Sequence, residues 1–176
     1  LFDFKGPDKT IRAFEIACQQ GLKGRLLIAG DGPLRKKCES LIAHSPWRHR
    51  IHLLGFVSSE EAKTLYKTSD IFTQHSIKGE TTGQIETFGI SIIEAMAASL
   101  PVVTCSIGGP KKNVVHEKTG FLIEPGDVRG QAKLFLQLAG NPELRFQIGK
   151  QAWLAARTHF SYEKERDQLR SILLQR

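Results

Sequence analysis

Residues 86–98 have the sequence Glu-Thr-Phe-Gly-Ile-Ser-Ile-Ile-Glu-Ala-Met-Ala-Ala, in which two glutamates are separated by seven residues. On one continuous helix, this spacing turns the chain by about 800°, which leaves the carboxylates of Glu86 and Glu94 about 80° apart and poorly placed to share a face. The geometry changes if Glu86 precedes the helix and Gly89 opens it. Both carboxylates can then reach one pocket at the amino end of a helix that we predict from about Gly89 to Ser99.

The amino end of this helix is suited to an anion. Free backbone N–H groups from Phe88 to Ser91 can donate hydrogen bonds to phosphate, and Gly89 allows the backbone to approach a ligand closely. A nucleotide sugar has hydroxyl groups at both ends and a diphosphate between them, so flanking carboxylates favour a ligand of this class. Without further context, the same pair of glutamates is more typical of ordinary surface carboxylates.

Short apolar runs alternate with amphipathic stretches on both sides of this segment. We predict strands at about residues 25–29, 51–54, 70–74, 101–104 and 121–123. Ser58 and Glu61 have the spacing of a capping box, which predicts a helix to about Lys67. The alternation indicates an α/β, Rossmann-like three-layer domain with a parallel sheet covered on both faces. Ligands of such folds bind beyond the carboxyl ends of the strands, so the loops of interest are 30–33, 55–57, 75–88 and 105–112.

The composition is that of an ordinary globular protein. The chain has 176 residues, of which 40% are hydrophobic and 24% charged, and this length suits one domain over residues 1–176. The net charge is +7, but the basic residues are dispersed and no aromatic residues interleave with them, so we expect no nucleic-acid partner. A peripheral contact with anionic lipid stays open. No apolar run approaches the ~18 residues that a membrane span needs.

The three cysteines are widely spaced along the chain, at Cys18, Cys38 and Cys105. They form no C-x-x-C pair, and no combination of cysteine and histidine has the spacing of a zinc site. We therefore expect reduced, partly buried thiols, a cytoplasmic location and no metal site.

Residues 86–98 resemble the E-x7-E signature of the retaining GT-B glycosyltransferases, the group 1 family that includes glycogen and sucrose-phosphate synthases. Other phrases similar to that family occur in its order along nearly the whole chain. They are Lys5-Gly6-Pro7-Asp8, Leu27 to Pro33, Leu54 to Val57, Ser69 to Phe72, Pro101 to Val103, Gly108 to Pro110 and Thr119 to Leu122. Each phrase alone is weak support. Their ordered combination is similar to the C-terminal, donor-binding half of a GT-B enzyme.

The resemblance implies catalytic and binding roles for three charged side chains. Glu86 would contact hydroxyls of the donor sugar and help to stabilise charge at the reacting carbon. Lys5 would neutralise the diphosphate leaving group, which is an electrostatic contribution to catalysis. Glu94 would bind the ribose hydroxyls of the nucleotide.

The resemblance also implies that backbone groups hold much of the donor. The backbone of Phe88, Gly89 and Ile90 would hold the sugar and diphosphate, and the base would rest on the backbone of Gly55, Phe56 and Val57. The substrate would be a nucleoside-diphosphate sugar, with no metal and no other cofactor. The acceptor, a glycan or a lipid-linked sugar, would bind mainly to an N-terminal domain that this chain lacks.

Several features depart from the family's pattern. Ser99 stands where the family has a glycine, and Lys111-Lys112-Asn113 follow Gly-Gly-Pro where a glutamate is common. The segment 75–85 is longer than in many relatives. The family's arginine and acceptor-binding domain lie upstream of Leu1. We therefore expect a fragment that binds the donor and transfers little or nothing by itself.

Alternatives remain open from the sequence. A GT-B-like sugar-nucleotide epimerase and a non-catalytic nucleotide-binding domain share the same donor-binding features. His75 either faces the donor sugar or is a solvated loop residue, and Gly108-Gly109 either lines the site or forms a structural loop. We expect Trp47 and Trp153 to be packing residues. From about Asp127 we predict helices, with breaks near residues 140–142 and near Ser161, the last one amphipathic to Arg176.

Overall fold

The computed structural model describes residues 1–160 and confirms the α/β fold, with each predicted strand displaced by no more than about two residues. The strands in that range are β1 (Leu26–Ala29), β2 (Ile51–Gly55), β3 (Phe72–Gln74), β4 (Val102–Cys105) and β5 (Phe121–Ile123). The helices are α1 (Pro7–Gln19), α2 (Arg35–Ala43), α3 (Ser59–Thr68), α4 (Ile90–Ala97), α5 (Gly108–Asn113), α6 (Val128–Gly140) and α7 (Pro142–His159), with 3-10 turns at Asp3–Lys5 and Arg48–Arg50.

The strands are all parallel, but they form two sheets where the sequence predicted one. β1 pairs with β2, and β3, β4 and β5 pair in that order. The first residues of the chain lie between the loops that follow β1 and β3. Leu34 N–H donates to Leu1 O at 3.0 Å, and Ile77 N–H donates to Phe4 O at 3.0 Å. This arrangement brings the first turn of the chain to the carboxyl ends of the strands, where ligands of parallel sheets bind.

Burial differs between the two sheets. Every residue of β4 is buried, because helices cover both faces of that strand. By contrast, Leu27 of β1 is 40% exposed and Leu54 of β2 is 39% exposed. The predicted coverage of both faces therefore holds for the three-stranded sheet, whereas one face of β1 and β2 is left partly open by residues 1–160.

Local sequence signals explain two helix boundaries. α3 begins with the predicted capping box, in which Ser58 Oγ accepts from Glu61 N–H at 3.3 Å and Glu61 Oε2 accepts from Ser58 N–H at 2.7 Å. α7 begins where the break was predicted, because Pro142 occupies its first turn and the Asn141 side chain accepts from Leu144 N–H at 2.9 Å. The break and helix predicted from Ser161 onward lie outside the described residues.

The departure at Ser99 has a conformational explanation. Ser99 follows α4 with φ 61°, a left-handed conformation that costs a residue with a side chain roughly 1–2 kcal/mol and that glycine adopts freely. α7 packs closely on this turn, since a Cβ atom at Gly149 would overlap the Ser99 carbonyl oxygen. The family's glycine is thus suited to the backbone that Ser99 adopts here.

The two tryptophans differ in their surroundings. Trp47 is half-buried and packs against the cluster formed by α1, α2, β1 and β2. Trp153 is 36% exposed, and the guanidinium of Arg157 lies 5.4 Å from its ring centroid. The expectation of a packing role therefore holds for Trp47, whereas Trp153 is more exposed, packs against Arg157 and lies beside Ile93 and Ala97 of α4.

Candidate functional site

The loop after β3 ends at Gly89, which caps α4. Gly89 has φ 82° and ψ 56°, a left-handed conformation that glycine adopts without steric cost. Its carbonyl accepts from Ile92 N–H at 3.0 Å and from Ile93 N–H at 3.2 Å. Within residues 1–160 no acceptor satisfies the N–H groups of Ile90 and Ser91. Two amides and the positive end of the helix dipole are therefore available to an anion.

Glu86 lies just before α4 and has partners on both carboxylate oxygens. Oε1 accepts from the backbone N–H of Gly89 at 3.2 Å. Oε2 lies 3.1 Å from Nζ of Lys5 and accepts from Nε2 of Gln74 at 3.3 Å. Lys5 ends the first 3-10 turn of the chain. The structure thus brings Lys5, Glu86 and the amino end of α4 together.

The contacts of Glu86 hold it in its charged form. Partial burial, with 12% of the side chain exposed, raises its pKa. The positive charge of Lys5 and the hydrogen bonds from Lys5, Gln74 and Gly89 together lower it by more, so the net pKa lies below the ordinary value for a glutamate. A negatively charged acceptor of hydrogen bonds is therefore present at neutral pH, beside a lysine and two free amides.

Gln74 orients this carboxylate, and sequence reasoning missed it. Gln74 is the last residue of β3 and is buried. Its Nε2 donates to Ser76 Oγ at 2.9 Å as well as to Glu86, and its Oε1 accepts from Ser91 Oγ at 3.3 Å. The available signal was a polar residue at the final, buried position of a strand, where it faces the ligand edge of the sheet.

α5 packs closely against the backbone of the segment 86–88. The predicted loop at residues 105–112 instead contains this short helix, and Gly109 N–H donates to Glu86 O at 2.8 Å. Asn113 Nδ2 donates to Phe88 O at 2.5 Å. A Cβ atom at Gly108 would overlap Glu86 O, and one at Gly109 would lie 2.5 Å from Thr87 O. Both glycines are therefore required by the close packing of two backbone segments, and Gly108-Gly109 acts through Glu86.

Glu94 lies one turn beyond Ile90 on the exposed face of α4. Its Oε2 accepts a hydrogen bond from Tyr66 Oη at 3.0 Å, across the contact between α3 and α4. Ile90 is 66% exposed and Phe88 is 50% exposed, so the helix presents an open surface from its amino end to Glu94. The two glutamates have different partners, since Glu86 contacts Lys5, Gln74 and Gly89 and Glu94 contacts Tyr66.

The segment Gly55–Val57 begins with the last residue of β2, in the two-stranded sheet. Gly55 has φ 70°, and its carbonyl accepts from Gly30 N–H at 2.7 Å. Phe56 is 87% exposed. α3 begins two residues after Val57. Its residue Tyr66 hydrogen-bonds to Glu94 of α4, so α3 connects this segment to α4. The structure places this segment at the ligand edge of its sheet without a described contact to α4.

His75 is neither solvated nor directed at an open site. It is completely buried, so the solvated alternative is wrong. Nδ1 lies 2.7 Å from Gln131 Oε1, and Nε2 accepts from Gly126 N–H at 2.9 Å. Gln131 Nε2 in turn donates to Thr73 Oγ1 at 2.7 Å. His75 therefore joins the end of β3 to the start of α6 as a neutral imidazole with its proton on Nδ1.

We predict that the protein loses stability between pH 7 and mildly acidic pH because of His75. Burial is the main cause of its lowered pKa, which Lys9 also lowers, while Gln131, Asp8 and Asp127 oppose the shift. As pH falls through ~6.5, the unfolded chain takes up a proton that the folded protein does not, so the free energy of unfolding falls. The limiting slope for one such group is about 1.4 kcal/mol per pH unit.

Urea unfolding of the wild type, His75→Gln and His49→Gln between pH 5 and 8 measures this slope. His49 is exposed and serves as the matched control. We expect a shallower slope below pH 6.5 for His75→Gln only. Equal slopes in all three proteins would assign the acid sensitivity to other groups.

Residues 1–160 contain neither a clustered metal site nor a membrane-spanning helix. No group of three or more histidine, cysteine, aspartate or glutamate side chains in that range is arranged to hold a metal ion. None of the helices in the same range has both the length and the apolarity needed to cross a bilayer.

Sequence comparisons match most of the chain to one family. The family model described as glycosyl transferases group 1 matches residues 1–153. An uncharacterized glycosyltransferase of Methanocaldococcus jannaschii is 36% identical over 121 residues, which cover 69% of this chain and 29% of that protein. The sulfoquinovosyl transferase of Arabidopsis thaliana is 29% identical over 170 residues, covering 90% of this chain and 31% of that protein. The chain thus spans about a third of the length of these relatives.

Solved structures share the fold at low sequence identity. The crystal structure of HepE from Anabaena in complex with UDP and glucose superposes with a TM-score of 0.86 at 23% identity, covering 100% of this chain and 46% of that one. The C-terminal domain of a glycosyl transferase group 1 protein, LpcC from Francisella tularensis, superposes with a TM-score of 0.80 at 22% identity, covering 92% of this chain and 83% of that one.

Proposed function

This chain belongs to the glycosyl transferases group 1 family, and we propose that it is the nucleotide-sugar-binding domain of a retaining glycosyltransferase. The observation that carries the proposal is the cluster at the amino end of α4, where Glu86 lies 3.1 Å from Lys5 beside two free amides. Such a cluster offers both a hydrogen-bond acceptor for sugar hydroxyls and positive electrostatic potential for a diphosphate.

Lys5 is suited to stabilising the leaving group. As the glycosidic bond to the diphosphate breaks, negative charge grows on the departing phosphate oxygen. An ammonium group has three N–H donors, so Lys5 can keep its contact with Glu86 and still donate to a phosphate. The amides of Ile90 and Ser91 add fixed dipoles that need little reorganisation during the reaction.

Glu86 is suited to the sugar side of the same bond. A charged carboxylate accepts hydrogen bonds from the donor's hydroxyls. Its negative charge also stabilises the positive charge that develops at the anomeric carbon. The contacts from Gln74 and Gly89 restrict its position before the donor binds. A carboxylate that is already held in position stabilises the transition state more than a mobile one, because its side chain loses less conformational entropy when the donor binds.

The nucleoside would bind along the exposed surface of α4 and toward β2. Glu94 would accept hydrogen bonds from the ribose hydroxyls, and the base would rest on the backbone of Gly55, Phe56 and Val57. No metal or other cofactor is needed in this proposal, because Lys5 and the helix amides neutralise the diphosphate.

The acceptor would be a glycan or a lipid-linked sugar bound mainly by a second domain, and transfer would require both domains. We place the reaction in the cytoplasm, at the inner face of a membrane where the acceptor is lipid-linked. The three free, buried cysteines support a reducing compartment.

Isothermal titration of this chain with UDP, GDP and ADP tests donor binding. We expect a dissociation constant of about 1 mM or tighter for at least one of the three. The reason is that ribose, diphosphate and base would each have contacts in the proposed site. No binding of any of them at millimolar concentration would contradict the proposal.

The anomeric configuration of the product tests retention. NMR of the glycoside made by the full-length protein should show the same configuration as the donor. An inverted product would contradict the retaining mechanism, and an epimerised nucleotide sugar in place of a glycoside would identify the epimerase alternative.

A further inference from the structure

Tyr66 forms a hydrogen bond with Glu94, the residue proposed to bind the ribose. The proposed mechanism gives Tyr66 itself no role. It lies in the last turns of α3, and its Oη donates to Glu94 Oε2 at 3.0 Å. Within residues 1–160 no other side chain hydrogen-bonds to either group. This hydrogen bond joins α3 to α4. Because the two residues are 28 positions apart in the sequence, tertiary packing is what brings them together.

The ring of Tyr66 is fixed by the protein interior. It is half-buried and packs against the ring of Phe72 in β3, with centroids 6.1 Å apart. Both rings border the buried cluster that includes Ile92, Ala95 and Met96 of α4. The hydroxyl is therefore presented to Glu94 from a position set by core packing, whereas the Glu94 side chain projects into solvent.

An exposed glutamate with no partner samples many rotamers and must be ordered when a ligand binds. A donor of fixed position removes part of that cost before the ligand arrives. Burial and the adjacent carboxylate raise the pKa of Tyr66, so its phenol remains protonated at neutral pH. It can then act only as the donor in this pair.

We propose that Tyr66 is a positioning residue for nucleotide binding, which holds Oε2 of Glu94 and leaves Oε1 to accept hydrogen bonds from the ribose diol. This inference rests on the proposed function, because it concerns the ribose contact of the same site. It assigns part of the affinity for a nucleoside diphosphate to a residue that does not touch the ligand.

Titration calorimetry with Tyr66→Phe tests the assignment. The probes are UDP and 2′,3′-dideoxy-UDP, or the corresponding GDP or ADP pair where the wild type binds that nucleotide more tightly. We expect Tyr66→Phe to weaken UDP by about 3- to 10-fold, the range for one hydrogen bond. Binding of the dideoxy analogue should change by less than about 2-fold, since it lacks the hydroxyls that Glu94 binds.

The combination with Glu94→Gln separates positioning from a general structural effect. If Tyr66 acts through the Glu94 carboxylate, adding Tyr66→Phe to Glu94→Gln should produce no further loss of UDP affinity. Ser69→Ala is the matched control, because it removes a hydroxyl at the end of α3 that donates to Leu65 O and not to Glu94. Phenylalanine keeps the ring contact with Phe72, and thermal unfolding of each variant verifies the fold.

The outcomes distinguish this inference from the proposed function. A loss of UDP affinity in Glu94→Gln but not in Tyr66→Phe would overturn the positioning role and leave the proposed function intact. Equal losses for UDP and its dideoxy analogue in Tyr66→Phe would also overturn it. No binding of any nucleoside diphosphate to the wild type would overturn both.

Discussion

Glu94→Ala is expected to weaken UDP binding by about 10- to 100-fold while changing pyrophosphate binding by less than about 2-fold. A hydrogen bond to a charged group contributes about 1.5–3 kcal/mol, and 1.4 kcal/mol corresponds to a factor of ten in affinity. Pyrophosphate has no ribose and should bind only at the amino end of α4, so it does not depend on Glu94. Isothermal titration with both ligands measures the difference.

The control for this prediction is Glu143→Ala, which removes an exposed glutamate from the first turn of α7. It changes the net charge equally but lies on a helix outside the proposed site. We expect it to bind both ligands as the wild type does. A parallel loss of UDP and pyrophosphate in Glu94→Ala would instead mean that the glutamate supports α4 as a whole and does not bind ribose.

Gly108→Ala is expected to lower the free energy of unfolding by about 2–5 kcal/mol. Its φ of 60° costs an L residue about 1–2 kcal/mol. The new Cβ atom would overlap Glu86 O, and overpacking of this kind typically adds about 1–3 kcal/mol. Because α5 also holds Glu86 O through Gly109 N–H, the same change should reduce UDP binding. Urea unfolding and titration calorimetry measure the two effects.

Substitutions at two other glycines distinguish the backbone strain from the steric overlap that Gly108→Ala introduces. Gly21 has φ 99°, and no atom lies within 4 Å of the position that a Cβ would occupy there, so Gly21→Ala should show backbone strain alone. Gly140 ends α6 with neither constraint, so Gly140→Ala should be neutral or stabilising by up to about 1 kcal/mol. If Gly108→Ala is no more destabilising than Gly21→Ala, the close contact with the 86–88 segment is not important to stability.

The Lys5–Glu86 pair illustrates what a family resemblance adds to residue patterns. Neither spacing nor periodicity connects a lysine in the first turn with a glutamate beyond the third strand. The ordered family phrases connected them, and the structure shows why they meet. Phe4 and Ile77 are hydrogen-bonded, so the first turn of the chain is joined to the loop that leads from β3 to Glu86.

The partners of the two glutamates could not be predicted in the same way. Gln74 and Tyr66 lie outside the family-like phrases, as does Asn113, which holds the carbonyl of Phe88 near Glu86, and each acts from a different element. Their hydrogen-bond partners depend on how β3, α3 and α5 pack around α4. His75 was also not predictable from local sequence, since it was expected either to face the donor sugar or to be solvated and instead pairs with Gln131 in the interior.

Local sequence was sufficient to predict the five strands of residues 1–160 and the helices that begin near Ser58 and Gly89, whereas α5 lies in a segment that was predicted as a loop. Hydrophobic runs, the capping box at Ser58 and the glycine before Ile90 act over a few residues, so neighbouring residues specify them. The division into two sheets and the partners of the Glu86 and Glu94 carboxylates emerged only from the folded chain. Those features depend on contacts between segments distant in the sequence, whose distances and burial are set by packing and are not encoded in any local pattern.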